Sequence, residues 1–245
     1  MISEEEHRKI FSSLSKYKDV DEYVEKLVEL IRTIHYERTF FVKNSDNEKA
    51  RDEFFDFLKK EFVEIYNTYK KYSNDNSEIG NIIEFVGEGR TTLAFRIGDN
   101  VLKIGKSRIK NHYYEYQCLI PVYFSYYQEI SSNEGYSIEL TPLVDTKDLT
   151  DEDTYEAYKK MRSLGYIWND AAPNNIGKII KTIECHNIVY EKGDIVIVDL
   201  EDFAYVGEVT PEEVIDELAF FSYNHKAYVY EMRYIEEQEK KNKAL

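Results

Sequence analysis

Apolar residues recur at three- and four-residue intervals through the first part of the chain and give way near Ile82 to short alternating runs. Val20, Val24, Leu27, Val28, Ile31 and Ile34 fall on one stripe of a predicted helix, and Phe54, Leu58, Phe62, Ile65 and Tyr69 on a stripe of another. Ahead of them, Ser3-x-x-Glu6 is a capping-box pattern that opens a shorter helix reaching about Lys16, and Asp19 or Asp21 can cap the next one. Polar breaks at 44–47 and 72–77 separate the helices from each other and from the remainder of the chain. Residues 1–76 read as an N-terminal helical extension whose aromatic stripes are packing surface.

Beyond Ile82 the pattern predicts strands at 82–86, 93–97 and 101–104, joined by a glycine-containing turn and by Gly98-Asp99-Asn100 as a β-meander. Residues 110–119 are compatible with a helix, 121–128 follow, and 136–140 read as a further strand before Pro142. Asp148-Leu149-Thr150-Asp151 leads into a helix with Tyr155, Tyr158, Met161 and Leu164 on its inner face and Gly165 as its stop. Segments 187–190 and 195–198 flank Lys192-Gly193-Asp194 and read as a β-hairpin that delivers Asp199 at its exit. Thr210-Pro211-Glu212-Glu213 is a helix start, with Thr as N-cap and Pro at the first helical position, for a helix through Leu218 and Phe221. Residues 236–243 read as a charged, fraying tail, and no internal repeat is seen.

Composition narrows the function classes. At 245 residues the chain can bury a sizeable core. Its formal charge of −15 argues against a broad electrostatic grip on nucleic acid or an anionic membrane. No apolar run approaches a bilayer span, and Glu4, Glu5 and Glu6 stand where a signal peptide would be basic, so a cytoplasmic protein is expected. Cys118 and Cys185 form neither a metal-type spacing nor a disulfide framework and read as ordinary reduced thiols.

The candidate chemistry gathers at four places. In Asn169-Asp170-Ala171-Ala172-Pro173-Asn174-Asn175, an acid precedes an amide by five positions with a proline between, so one tight loop can present both to one ligand. The same composition is also that of an ordinary turn. Gly87-Glu88-Gly89 sits at the tip of a predicted hairpin, where the lack of a Cβ lets backbone N–H groups approach phosphate oxygens. Lys103 interrupts the apolar strand Val101-Leu102-Lys103-Ile104, and a lysine there either snorkels to solvent or meets anions. Glu115 is its natural partner, with Glu129 an alternative. Asp199 ends a strand and is followed by Glu201 and Asp202; carboxylates at a strand end suit Mg²⁺, or simply cap a turn.

Taken in order, these motifs resemble the protein-kinase-like superfamily, which includes the eukaryotic-type protein kinases and the aminoglycoside and choline phosphotransferases, over residues 81–207. Gly87-x-Gly89-x-x-Thr92-x-Ala94 is similar to a Gly-rich loop with Thr92 at its third glycine, and Val101-Leu102-Lys103 to the strand with the ATP-binding lysine. The resemblance implies Glu115 as the helix partner of Lys103, Asp170 as catalytic base, Asn175 and Asp199 as metal ligands, and Glu201 as a further carboxylate at the metal. It also implies an α+β bilobal fold: a small antiparallel N-lobe sheet in 77–143 and an abbreviated helical C-lobe in 144–245, preceded by the helical extension. Trp168 and Asn169 replace the usual His-Arg, the stretch from Asn175 to Asp199 is long, and no Ala-Pro-Glu follows. The implied activity is ATP- and Mg²⁺-dependent phosphoryl transfer to a hydroxyl of a protein or small molecule. The alternative is a kinase-like regulatory or scaffold module acting through protein partners, for which the N-terminal helices offer a surface.

Overall fold

Ser3 is the predicted cap: its Oγ accepts from the Glu6 N–H at 3.3 Å while its own N–H donates to the Glu6 carboxylate at 2.8 Å. The computed structural model describes residues 3–38, 45–89, 92–107, 116–131, 134–199, 203–205, 207 and 225–243. By its contacts the chain falls into two units, one of Met1–Tyr113 with Val122–Leu143 and one of Tyr114–Pro121 with Val144–Leu245.

In the first unit, helix α1 (Glu4–Ser12) runs into a 3₁₀ turn and is followed by α2 (Val20–Arg38), α3 (Ser45–Tyr72) and the single turn α4 (Ile79–Ile82). A five-stranded sheet comes next, ordered β1-β2-β3-β5-β4. Its strands are β1 (Ile83–Glu88), β2 (Thr92–Ile97), β3 (Asn100–Ser107), β4 (Phe124–Ser131) and β5 (Glu134–Pro142), all paired antiparallel. Alternation decides which face is covered. Phe85, Leu93, Phe95, Ile97, Leu102, Ile104, Tyr136 and Ile138 are buried in one cluster with Val24, Leu27 and Ile31 of α2 and Phe54, Leu58 and Phe62 of α3. Phe62 meets Phe95 edge-on at 5.8 Å and Phe54 stacks on Tyr136 at 4.7 Å. Each such side chain contributes about 1.5–3 kcal/mol by leaving water. The helices and the sheet therefore share one core, and the intervening residues Ala94, Lys103 and Glu139 lie on the opposite sheet face, where burial is only partial.

The turn between β2 and β3 requires glycine. Gly98 has φ +61°, and a Cβ there would lie 2.1 Å from the Tyr69 ring.

The second unit contains β6 (Val144–Asp145), α5 (Asp151–Ser163) with a Thr150 capping box, β7 (Tyr166–Trp168), β8 (Ile176–Ile179), β9 (Ile183–Cys185), β10 (Ile188–Tyr190), β11 (Ile195–Ile197), β12 (Phe203–Tyr205) and α6 (His225–Lys243). Gly165, at φ +84°, stops α5 as its position predicts. Tyr155, Tyr158 and Met161 are fully buried along α5, whereas Leu164 is exposed. Ion pairs tie α5 to α6: Asp151 with Lys226, Glu152 with Arg233, and Arg162 with Glu231.

Several elements differ from the sequence expectation. Segments 187–190 and 195–198 do not pair with each other: β10 pairs with β9, and β11 with β8. The β9–β10 turn is carried by His186 and Asn187 at φ 50° and 62°, a two-residue hairpin turn without the glycine that would signal it. The end of the helix-compatible 110–119 is not helical, since Leu119 bridges to Ile197 and the Ile197 N–H donates to the Cys118 carbonyl at 2.8 Å. Residues 121–128 lead into β4, and 236–243 are the last turns of α6 rather than a loose tail. The helix expected at 210–221 lies outside the described residues.

Candidate functional site

Two short antiparallel pairs build the centre of the second unit. Strand β7 pairs with β12, putting Trp168 opposite Phe203, and β8 pairs with β11, putting Ile176 opposite Ile197. Trp168 is fully buried and fixes the entry to the acid–amide loop. Asn169 and Asp170 turn the chain, Ala171 is buried, and Pro173 starts a 3₁₀ turn that the Asn175 N–H closes on the Ala172 carbonyl at 2.9 Å. Proline suits this place, having no N–H to satisfy at a first helical position.

Within the loop the side chains interlock. The Asn175 Nδ2 group donates to the Asp170 backbone carbonyl at 2.9 Å and to its carboxylate Oδ2 at 2.8 Å. Asn175 is only 8% exposed, so the pair is shielded from water on the amide side, where a charge-assisted hydrogen bond holds more firmly. Asn174 donates to the Asn175 Oδ1 at 3.2 Å. An amide oxygen has two lone pairs, so Oδ1 retains capacity for a further ligand.

Strand register leads the chain past Asn175 to Asp199. The Val198 N–H donates to the Asn175 carbonyl at 2.9 Å, extending the β8–β11 ladder by one residue, and Asp199 is the next position. Residues opposed in such a ladder have Cα atoms about 5 Å apart, so Asn175 and the start of Asp199 are neighbours through the backbone. Val144 of β6 packs against β8 so closely that a Cβ on Gly177 would fall 2.4 Å from its Cγ2. An amide oxygen and a carboxylate form a hard oxygen donor set, suited to Mg²⁺ that takes its remaining ligands from phosphate and water. Among the described residues, no group of three or more His, Cys, Asp or Glu gathers as a metal site.

The other predicted residues lie on the first unit. Gly87 and Gly89 both lie on the first arm of the β1–β2 hairpin, Gly87 opposite Ala94 and Gly89 with its N–H donating to the Thr92 carbonyl at 2.8 Å. The register slips between Phe85 and Gly87, so Val86 is bulged out of the ladder. Lys103 stands opposite Ala94 on one side and Glu139 on the other. Glu139 was not singled out by the sequence, although its strand was; pairing register, which the sequence does not print, brings it to Lys103. Glu129 pairs with Gly135, four residues along the strand from the row of Lys103, Glu139 and Ser125, or about 13 Å away. Glu115 and Glu201 lie outside the described residues. The structure thus places Asp170, Asn175 and Asp199 in one unit, with Asn175 bonded to Asp170 and Asp199 one residue past the backbone bond to Asn175, and it places Gly87, Thr92 and Lys103 on neighbouring strands of the other, with Gly89 just past the end of β1.

Among the described residues, no helix is long and apolar enough to cross a membrane. The described elements make an α+β protein with an antiparallel sheet. No protein-family model matches the chain, and no curated protein matches it. Among solved structures, the bifunctional kinase-methyltransferase WbdD is similar over 60% of this chain and 43% of its own, at 10% identity and a TM-score of 0.26. The match spans less than half of that protein's chain, and a likeness of that size carries no argument about fold or reaction.

Proposed function

We propose that the protein is an ATP- and Mg²⁺-dependent phosphotransferase of the protein-kinase-like kind that moves the γ-phosphoryl group to a hydroxyl. The observation that carries the reading is the double donation from Asn175 to Asp170, with Asp199 delivered next to Asn175 by the Val198–Asn175 backbone bond. A lone turn has no need of a strand-end carboxylate one residue past the position that bonds its amide-bearing residue.

Each residue has a defined task. Asp170 accepts the proton of the acceptor hydroxyl as the new O–P bond forms and the bond from the γ-phosphorus to the β–γ bridging oxygen breaks, releasing ADP. Asn175 holds the Asp170 carboxylate in one orientation, which is the positioning that in-line transfer depends on. Asn175 Oδ1 and the Asp199 carboxylate would hold Mg²⁺, which when bound supplies neutralisation of charge on the transferring phosphoryl group. The hairpin of Gly87, Gly89 and Thr92 would cover the phosphates, with the Gly89 N–H kept in the bond to the Thr92 carbonyl that closes the turn, and Lys103 would meet the α- and β-phosphates. The acceptor is a hydroxyl of a protein or a small molecule.

A thermal-shift titration with Mg²⁺–ATP tests the binding half, since a ligand that binds only the folded state raises the melting temperature. Release of ADP, compared between the native protein and Asp170→Asn, tests the chemical half. A shift in both proteins with ADP released only by the native one is expected. A shift with no turnover in either would instead support the nucleotide-binding regulatory module, and no shift at millimolar Mg²⁺–ATP would overturn both readings.

A further inference from the structure

Helix α1 is fastened to the glycine hairpin by side chains that the proposed chemistry does not use. His7 is 2% exposed, and its Nδ1 lies 2.7 Å from the Glu88 Oε2. A carboxylate can only accept here, so Nδ1 carries the proton and donates. The next residue, Arg8, donates to the Phe85 carbonyl at 3.2 Å and to the carbonyl of the bulged Val86 at 2.8 Å. Its guanidinium is also held by Glu4 at 2.8 Å, and Glu4 Oε1 comes within 3.7 Å of where a Gly87 Cβ would be. Phe11 completes the contact, stacking on Phe85 at 4.7 Å and meeting Phe95 edge-on at 5.0 Å.

The charge arrangement gives this fastening a purpose. Glu88 lies between the two glycines of a hairpin proposed to cover phosphates, where a loose carboxylate would repel them. Its cross-strand partner Leu93 is in the helix-covered core, and cross-strand partners share a face. Glu88 therefore points to the α1 side, with its side chain 10% exposed, while Lys103 stands on the other face of the sheet.

We infer that α1 is a latch on the glycine hairpin: His7 holds the Glu88 carboxylate on the α1 side, away from the phosphate-facing surface, Arg8 pins the bulged backbone, and together they set nucleotide affinity. His7 and Arg8 are positioning residues, and the role in affinity rests on the phosphotransferase reading above.

Hydrogen exchange of the full chain without nucleotide tests the latch independently of that reading. In His7→Ala and Arg8→Ala, amides of 83–97 are expected to exchange about 10-fold faster, while those of 134–142 and 176–197 keep their rates. His7→Gln retains an N–H that can reach the carboxylate and is expected to restore most of the protection. Arg8 is half exposed, so its replacement leaves the fold intact even where loss of the buried His7 does not. Unchanged exchange at 83–97 in both alanine variants overturns the latch, as does loss of protection spread evenly over the whole sheet. In the same proteins the Mg²⁺–ATP dissociation constant is expected to rise about 10-fold. Faster local exchange in a protein that binds no Mg²⁺–ATP would uphold the latch and overturn the nucleotide reading alone. Faster exchange with unaltered affinity would overturn its role in setting affinity.

Discussion

Arg162 and Glu231 are 69 positions apart in the sequence and meet at 3.0 Å, and Tyr158 donates to the same carboxylate at 2.7 Å. Glu231 is fully buried, and burial followed by the Glu231 charge pushes the Tyr158 hydroxyl to ionise only well above its ordinary range. Replacing Glu231 by Ala leaves the buried Arg162 guanidinium without its carboxylate and with only the face of Tyr234, 5.7 Å away, as a weaker neighbour, a change that costs about 3–5 kcal/mol. Chemical denaturation is expected to show a loss of that size for Glu231→Ala and a smaller one for Glu231→Gln, which keeps an acceptor oxygen.

Asp170 and Asp199 are expected to separate chemistry from binding. Loss of a general base costs roughly 10²–10⁴-fold in turnover. Asp170→Ala should lose at least that much while Mg²⁺–ATP still raises the melting temperature, whereas Asp199→Ala should lose both turnover and the Mg²⁺-dependent part of the shift. Full turnover in Asp170→Ala would remove it as the base.

The two thiols should differ sharply in reactivity. Burial pushes the Cys118 thiol up to about 11, and its sulfur sits 3.3 Å from the Met161 Sδ. At pH 8 its thiolate fraction is roughly 10⁻³, against about a quarter for an ordinary cysteine. Cys185 is partly exposed. Alkylation of the native protein followed by peptide mapping should label Cys185 and spare Cys118, with both labelled in denaturant.

Much of this was legible from spacing alone. The stripes of α2 and α3, the strands β1 to β3 and the α5 inner face follow from period, because one residue type per face suffices to specify a half-buried element. The closeness of Asp170 and Asn175 follows from five residues with a proline between. Register was not legible. The swap of partners among β8 to β11 rests on three- and four-residue strands whose apolar runs fit either pairing, and a His186-Asn187 turn carries no glycine signal. Glu139 and the His7–Glu88 contact are long-range meetings of ordinary charged residues, and nothing local marks them.

Asp75 should contribute an acid-sensitive element of stability. Its carboxyl is held down from 3.8 to about 2, first by hydrogen bonds from the side chain and backbone of Ser77 and then by the Tyr69 hydroxyl. A carboxylate stronger in the folded state stabilises it above the unfolded value, and this is lost as pH falls through the folded one. Asp75→Asn is therefore expected to lower the melting temperature at pH 6, with an effect that shrinks steadily as pH falls below 4 and vanishes only below about 2, checked by melts across that range.

Gly98 should resist substitution for two separable reasons. Its φ of +61° costs a residue with a Cβ about 1–2 kcal/mol, and the Tyr69 ring occupies the space the Cβ would need. Gly98→Ala alone should destabilise by more than that range, and Gly98→Ala combined with Tyr69→Leu should show a non-additive recovery in a double-mutant cycle.

The strand order β1-β2-β3-β5-β4 sets a timetable for the nascent chain. β3 ends at Ser107, but β5, which must pair with it, begins only at Glu134, and Tyr114–Pro121 of the other unit is synthesised in between. At translation rates of about 5–20 residues per second, β3 spends a second or more with one edge bare and an apolar face already formed. Residues 4–72 are already made by then, so α1 to α3 can shelter that face before the sheet that completes the core exists.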